Sequence, residues 1–404
     1  MKVLQINTVY KTTSTGHIAA NIDNILQQNG IDSFIAYGRG NHKKDNLIKI
    51  GNSLDMYLHI LGTRIFDKHG LYSKSVTKEF IEKIKDKNFD IIHLHNIHGY
   101  YLNYEILFDY LKVSGAKVVW TLHDSWPYTG HCAYYDYIGC NKFMSECNRC
   151  PLKNIYPASY FFDNSKDNFY RKKRSFTSLD SMTIITPSKW LANEVKKSFL
   201  SKYDIKVINN GIDLNIFRPI KSDIKSRLGI EGKMLILGVA NIWDNRKGLE
   251  YFIKLSKILS KDEVIVLVGL NDKQLKNLPS NIIGIKRTNS QEELAKLYTA
   301  ADFFVNFTLE DNFPTTNLEA LACGTRVLTF DSGGSGESVD KNVGKVFKKG
   351  DYTSIYRYIK AKKEEKLDKI CSECVEKAKK LYNKDDRFLD YLALYKKLQK
   401  EGDV

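Results

Sequence analysis

The sequence predicts an α/β protein made of two similar parallel-sheet domains in tandem, and three observations lead there. Short β-branched runs alternate with longer stretches whose apolar residues recur at helical spacing, the order expected of βαβ units. The series of runs stops at Ile208 and begins again at Met234. With 404 residues, at roughly 100–200 residues per domain, the chain can bury two cores.

In a first domain, residues 1–208, the segments 2–7, 34–37, 91–95, 117–122, 183–186 and 206–208 read as buried strands. In a second, residues 209–380, the segments 234–239, 264–268, 282–285, 303–306 and 326–330 do the same. Segment 249–259 reads as an amphipathic helix, because Leu249, Phe252 and Ile253 repeat as Leu255, Ile258 and Leu259. Between the series lies a linker from Asn209 to about Arg227, containing Asn210-Gly211-Ile212-Asp213 and the break Phe217-Arg218-Pro219. The Lys-rich stretch 352–399 has helical character and no strand to cross to. It is expected to pack on the outside, with a terminal helix, 381–404, reaching back to the first domain.

Two such domains are expected to face each other across a cleft. In open parallel sheets ligands bind beyond the carboxyl ends of the strands. The unusual residues fall at those ends: Asn7 and Thr8, His93 and His95, His123-Asp124, Pro187-Ser188, Asn241, and Asp331-Ser332-Gly333-Gly334.

Apolar residues make up 43% and charged residues 27% of the chain, which excludes disordered and collagenous classes. The apolar runs 234–240 and 264–270 fall far short of the ~20 residues that span a bilayer. The amino terminus runs directly into a strand pattern without the apolar centre of a signal peptide. The expected location is the cytoplasm, with peripheral attachment to the inner face of the membrane. Lys and Arg number 62 against 47 Asp and Glu, a formal charge of +15 spread over both halves. So diffuse an excess suits an anionic membrane surface or anionic substrates, and the lack of a recognised binding motif argues against nucleic acid as a partner. The densest basic cluster, Arg171-Lys172-Lys173-Arg174, fits either acidic headgroups or a solvated helix face.

The most informative segment runs from Glu310-Asp311-Asn312-Phe313-Pro314 through Glu319 to Gly324. Thr316 and Glu319 have capping-box spacing, so a helix is expected to start near Thr316 and stop at Gly324. Such a start presents backbone N–H groups and a positive dipole end, as a diphosphate requires. Carboxylates at Asp311 and Glu319 can grip vicinal hydroxyls, or they can be a turn residue and a cap. Asp244-Asn245-Arg246-Lys247-Gly248 places two cations and a glycine before a helix, a pattern suited to a departing diphosphate or to a solvated loop. Lys11–Gly16 precedes a helical pattern and can bring backbone close to a ligand. Neither a Gly-x-Gly-x-x-Gly fingerprint nor a P-loop occurs, which weighs against dinucleotide oxidoreductases and NTPases.

Four of the seven cysteines, Cys132, Cys140, Cys147 and Cys150, lie in a Cys-x7-Cys-x6-Cys-x2-Cys array beside His131. Three readings fit: a structural zinc site, reduced thiols packing an insertion at 126–157, or a disulfide. Cys371 and Cys374 fall on the charged terminal stretch and are expected to do no chemistry.

Taken together these motifs resemble the GT-B glycosyltransferases of family four, over nearly the whole chain. Asn210-Gly211-Ile212-Asp213-x-x-x-Phe217-x-Pro219 is similar to the linking signature of that family, Lys247-Gly248 to its phosphate loop, and Asp311-x7-Glu319 to its acidic donor motif. Thr186-Pro187-Ser188-Lys189-Trp190 and Gly333-Gly334-x-x-Glu337 are further matches. The stretch Thr121-Leu122-His123-Asp124-Ser125-Trp126, with the cysteines downstream, resembles a branch that includes colanic-acid and other exopolysaccharide transferases. In two places the sequence departs from the pattern. Position 311 carries Asp where the family usually has Glu, and Ile242 stands where an Arg usually precedes the Lys by five residues.

The resemblance implies a retaining transferase that moves a hexosyl unit from a nucleoside diphosphate sugar to a hydroxyl of a surface glycan with a lipid-linked acceptor. Glu319 would bind the ribose, Asp311 the donor sugar, Lys247 and Arg246 the diphosphate, and the backbone at Asn312, Phe313 and Pro314 the phosphate or sugar. His123 would lie near the anomeric centre and Gly16 in a flexible loop near donor and acceptor. With Lys247 and Arg246 neutralising the diphosphate, no catalytic metal would be required. The alternatives are another GT-B enzyme, an epimerase or a phosphorylase, and a noncatalytic module that binds nucleotide or polysaccharide.

Overall fold

The structure is a computed structural model and describes residues 1–364 and 371–401. It divides into two units, residues 1–208 with 388–404 and residues 209–387. In the first unit the strands are β1 (Lys2–Val9), β2 (Asp32–Arg39), β3 (Leu47–Lys49), β4 (Ile91–Leu94), β5 (Lys117–Thr121), β6 (Thr183–Thr186) and β7 (Asp204–Val207). In the second they are β8 (Met234–Val239), β9 (Glu263–Val268), β10 (Ile282–Ile285), β11 (Phe303–Asn306), β12 (Val327–Phe330) and β13 (Gly344–Phe347).

Each unit holds one parallel sheet. The orders are β3-β2-β1-β4-β5-β6-β7 and β10-β9-β8-β11-β12-β13. In both, the chain winds outward from the first strand in one direction, then returns to its other side. The switch falls between β1 and β4 in the first sheet and between β8 and β11 in the second, and crevices form at the carboxyl ends of such neighbours.

Alternation along the strands builds two apolar layers per sheet. On one face of the first sheet Leu4, Ile92, Val118 and Trp120 pack with Phe108, Trp126 and Phe176. On the other, Val3, Ile91, Val119 and Ile185 meet Ile18, Ile22 and Leu26 of the helix Thr13–Gln28. This second layer is completed by Phe388, Tyr391, Leu392 and Tyr395 from the helix Lys384–Lys400. In the second unit Leu235, Val264, Val266 and Phe304 pack with Tyr298, Leu318 and Leu321, while Ile236, Ile265, Phe303 and Leu328 pack with Phe252, Leu255, Ile355 and Ile359.

The eleven expected strands are present with ends shifted by at most two residues, and β3 and β13 are additional. The helix expected over 249–259 ends at Ser256, and Ile258 is exposed. The stretch 352–399 comprises the helices Tyr352–Glu364, Ser372–Tyr382 and Lys384–Lys400, and part of it lies outside the described residues. Cys371 and Cys374 are buried rather than on a charged face. Among the described residues no helix is long and apolar enough to cross a membrane.

Candidate functional site

In the second unit, the loop after β8 and the loop after β11 meet. Asp244 accepts a hydrogen bond from the Lys247 backbone N–H (3.0 Å) and so opens the short turn Asn245–Lys247. Gly248 follows with φ +76, and a Cβ there would lie 2.1 Å from the Phe307 carbonyl oxygen, so only glycine lets the two loops approach this closely. The contact is fixed by the Leu309 N–H donating to the Arg246 carbonyl (2.7 Å) and by the Arg246 guanidinium donating to the Glu310 carbonyl (2.7 Å).

On this frame Lys247 Nζ meets Asp311 Oδ2 at 2.5 Å, with both side chains partly buried. Burial alone would raise the Asp311 pKa, but the charges of Lys247 and Arg246, aided by the Lys247 and Phe313 N–H hydrogen bonds, hold it below the usual carboxylate range. Asp311 is therefore ionised at neutral pH. Its carbonyl accepts from the Gly334 N–H (2.8 Å), and Gly333, at φ +57, leaves room for that carbonyl where a Cβ would come within 2.2 Å. The Gly-Gly match thus supports the acidic motif from below.

The helix Thr315–Ala322 begins one residue earlier than expected, with Pro314 at the capping position and no side-chain cap. Thr316 is thereby inside the helix, and Glu319 lies a turn too far along to reach back. The expected capping box does not form. Glu319 instead accepts from the Tyr298 hydroxyl at 2.9 Å. Burial pushes its pKa up to about 7, against the opposing hydrogen bonds from Tyr298 and Thr315. The C-terminal expectation holds, as Gly324 at φ +80 follows the helix end. Asn312 and Pro314 are buried. The Phe313 ring sits in the core against Tyr382, leaving only its backbone at the surface of the loop, where its carbonyl accepts from Asn210 (3.2 Å).

Sequence reasoning missed the buried polar lattice beneath this helix. Asn306 donates to Asn317 (2.8 Å), Asn317 donates to the Ser335 carbonyl (3.0 Å), and the Thr329 and Ser335 hydroxyls meet at 2.7 Å. The signal for it is an amide at the end of an otherwise apolar strand and another on the inner face of a short helix. Each is costly unless paired.

In the first unit, His123 follows β5 and lies 3.1 Å from His95, ring stacked on ring. Burial lowers the His123 pKa to about 4, with the Asp124 charge opposing and His98 adding to the shift. The Gln5 amide nitrogen donates to the Ala19 carbonyl (3.1 Å), which leaves its oxygen to accept from His95 Nε2 (3.0 Å). His95 Nδ1 must then accept, so the shared proton belongs to His123 Nε2. Gln5 thus fixes the tautomer two residues away. Asp124 pairs with His98 at 2.9 Å, and His93 bonds both Thr121 (2.8 Å) and the Tyr395 hydroxyl (2.6 Å).

Gly16 is not in a loop. It lies in the first turn of the helix Thr13–Gln28, where a Cβ would press on Val9 at 3.0 Å, so its small size serves packing against the end of β1.

All seven cysteines are free thiols. Among the described residues no three His, Cys, Asp or Glu side chains are placed to hold one metal ion. The disulfide considered from their spacing is therefore not formed, and Cys132, Cys140, Cys147 and Cys150 pack into the core of the first unit. Both ring nitrogens of His131 are engaged, with Asp67 (2.5 Å) and the Ile155 carbonyl (3.3 Å). Buried Lys172 donates to the Trp126 and Thr129 carbonyls (2.7 and 3.0 Å), lies 3.7 Å from the Trp126 ring centre, and brings a cation toward Cys132 and Cys147.

Two family models cover most of the chain: Glycosyltransferase Family 4 over residues 20–216 and Glycosyl transferases group 1 over residues 220–381. The Escherichia coli (strain K12) protein WcaC, named as a colanic acid biosynthesis glycosyl transferase, is 24% identical over 98% of this chain and 100% of its own length. Sucrose-phosphate synthase from Thermosynechococcus elongatus superposes with a TM-score of 0.71 at 15% identity, covering 98% of both chains. HepE from Anabaena, in complex with UDP, superposes with a TM-score of 0.67 at 14% identity, covering 98% of this chain and 100% of its own. At these identities the likeness to solved structures is one of fold.

Proposed function

The chain belongs to the GT-B glycosyltransferases of the family-four type, and from that premise we propose that it transfers a hexosyl unit from a nucleoside diphosphate sugar to a hydroxyl of a lipid-linked surface glycan, with retention of anomeric configuration. The similarity to WcaC over its full length favours an exopolysaccharide as the product. The observation that carries the reading is the Lys247–Asp311 pair, held where the loops after β8 and β11 meet and followed directly by the start of the helix Thr315–Ala322.

In the reaction the bond from the anomeric carbon to the phosphate oxygen breaks, and its electron pair leaves with the diphosphate. The acceptor oxygen bonds to the same face of that carbon, and its proton passes to the departing phosphate. Charge develops on the phosphates, so stabilisation there is worth more than a protein nucleophile. Lys247 and Arg246 supply cationic groups, and the helix start supplies N–H groups and the positive end of its dipole. Asp311, ionised, accepts hydrogen bonds from sugar hydroxyls while orienting Lys247. Glu319 takes the ribose hydroxyls. His123, neutral at physiological pH, serves near the anomeric centre as a hydrogen-bonding group and not as a cation. With its positive groups already assembled, the site needs no divalent metal. Donor sugars of this kind are cytoplasmic, and a lipid-linked acceptor places the enzyme at the inner membrane face.

Thermal unfolding in the presence of a panel of nucleoside diphosphates and their sugars tests this. A cognate donor at about 100 Kd stabilises the fold by roughly 2.7 kcal/mol. If no nucleotide shifts the transition, the donor site is wrongly assigned. Product anomeric configuration, read by NMR, decides retention.

A further inference from the structure

A lipid-linked acceptor must be met at a membrane. Building on that reading, we propose that the outer face of the helix Ser53–Phe66, joined by residues 160–162, is a docking surface for an anionic phospholipid bilayer. The helix buries His59 and Thr63. Its opposite side carries Leu54, Tyr57, Leu58 and Leu61, at spacing i, i+3, i+4 and i+7, and these are 66%, 64%, 58% and 56% exposed. A stripe of that spacing normally faces a core. Here it faces outward.

A second segment extends the stripe. The Tyr160 N–H donates to the Arg64 carbonyl (2.8 Å) and the Phe162 N–H to the Ile65 carbonyl (3.2 Å), while the Phe66 and Phe162 rings stack 5.7 Å apart. Phe161, between them, is 72% exposed. The two segments thus present one continuous patch of leucine, tyrosine and phenylalanine, the residue types that settle at the boundary of headgroups and acyl chains. Patches of this kind on a soluble surface mark an interaction site.

The charge around the patch selects the partner. Arg64 lies in the last turn of the helix. Lys74 lines a shallow recess of about 430 Å³ together with Leu58, Leu71 and Tyr72. Lys153 Nζ reaches the Phe161 carbonyl at 3.4 Å. None of these three cations forms an ion pair among the described residues. The acidic groups beside them are already engaged: Asp55 accepts from the Asn52 N–H (3.0 Å), and Asp163 accepts from the Cys150 and Ser165 N–H groups (2.6 and 3.0 Å) and the Ser165 hydroxyl (2.5 Å). A basic rim around inserted aromatics is complementary to anionic lipid. The cluster at 171–174, which by sequence fits either acidic headgroups or a solvated helix face, has fewer unpaired cations to offer. Lys172 is buried, Arg171 pairs with Glu105 (3.0 Å) and Asp167 (2.8 Å), and Arg174 lies 3.8 Å from Glu105.

The test is co-sedimentation of the full chain with phosphatidylcholine vesicles, with and without phosphatidylglycerol. We expect binding to the anionic vesicles only, loss of binding at high salt, and weakening of at least about tenfold in Leu58→Asp/Leu61→Asp and, separately, in Phe161→Ser. Arg64→Glu/Lys74→Glu/Lys153→Glu should abolish the preference for anionic lipid. Binding that these substitutions leave unchanged, or no binding to either vesicle, overturns the proposal. So does a dimer in sedimentation velocity that the Leu58 and Leu61 substitutions dissolve, because the face would then belong to a second copy. Nucleotide-induced thermal shifts on the same samples keep the two readings apart. Intact shifts without vesicle binding refute the surface alone, and absent shifts refute the donor site.

Discussion

Lys247 and Asp311, 64 positions apart in sequence, meet at 2.5 Å and join the basic loop after β8 to the acidic motif after β11. The pair is partly exposed, so it adds little to stability, and its value lies in holding a cation beside a helix start. Lys247→Ala should therefore reduce turnover by about 10²–10³ while leaving the unfolding transition nearly unchanged, by comparison with removal of one preorganised electrostatic group. Steady-state kinetics alongside thermal unfolding check this, and near-normal turnover would take Lys247 out of the mechanism.

Glu319 gives a pH signature. Its folded-state pKa is raised to about 7 from an ordinary 4.5. Between those values the folded protein keeps a proton that the unfolded chain releases, so this group's contribution to stability falls as pH rises from about 4.5 to about 7 and is flat above. Glu319→Gln should remove that slope and gain no more than about 3 kcal/mol at pH 8. With Glu319 holding the ribose as proposed, donor KM in the parent protein should rise as pH drops below 7, whereas the variant should bind donor weakly at every pH.

Gly248 is constrained twice, by a left-handed φ and by the Phe307 carbonyl. Gly248→Ala should cost at least about 2 kcal/mol and displace the basic loop. Chemical denaturation gives the first quantity and donor affinity the second. A variant of parental stability would show that the loop can move aside at little cost.

The Tyr395 hydroxyl lies 2.6 Å from His93 within the core of the first unit. Tyr395→Ala should destabilise by about 3–5 kcal/mol, as loss of a large buried aromatic does. Tyr395→Phe leaves a polar nitrogen short of a partner and should cost about 1–3 kcal/mol. Urea unfolding of the two variants separates packing from hydrogen bonding.

Much of this architecture can be read along the chain, for a physical reason. A strand buried on both faces, such as Glu263–Val268, must be apolar at nearly every position, and that leaves a visible run. Leu47–Lys49 at a sheet edge has three residues, none fully buried, and Gly344–Phe347 alternates too weakly to stand out. The acidic motif and the Lys-Gly loop were legible as chemistry because charge and glycine are costly to place without reason. Their supports were not. The Glu319 environment depends on Tyr298 from another helix, and the His123 tautomer depends on Gln5 in β1. The basic run at 171–174 could not be resolved along the chain because a helix turns its neighbours in different directions: Lys172 is buried while Arg171 and Arg174 find Glu105. The cysteine spacing left zinc, packed thiols and a disulfide open, and sequence could not reveal that Lys172 and the engaged ring of His131 lie beside these thiols.

The helix Lys384–Lys400 supplies Phe388, Tyr391, Leu392 and Tyr395 to a layer whose other buried members come from residues 3–208. During synthesis, therefore, the first sheet emerges from the ribosome with this side covered only in part, by the helix Thr13–Gln28, and waits through the whole of residues 209–387 before the helix Lys384–Lys400 arrives. The second unit, continuous in sequence, can finish folding sooner. A nascent chain stalled before residue 388 would leave the part of this layer that Phe388, Tyr391, Leu392 and Tyr395 cover open to chaperones or to aggregation, so that the loss of a late segment damages an early one.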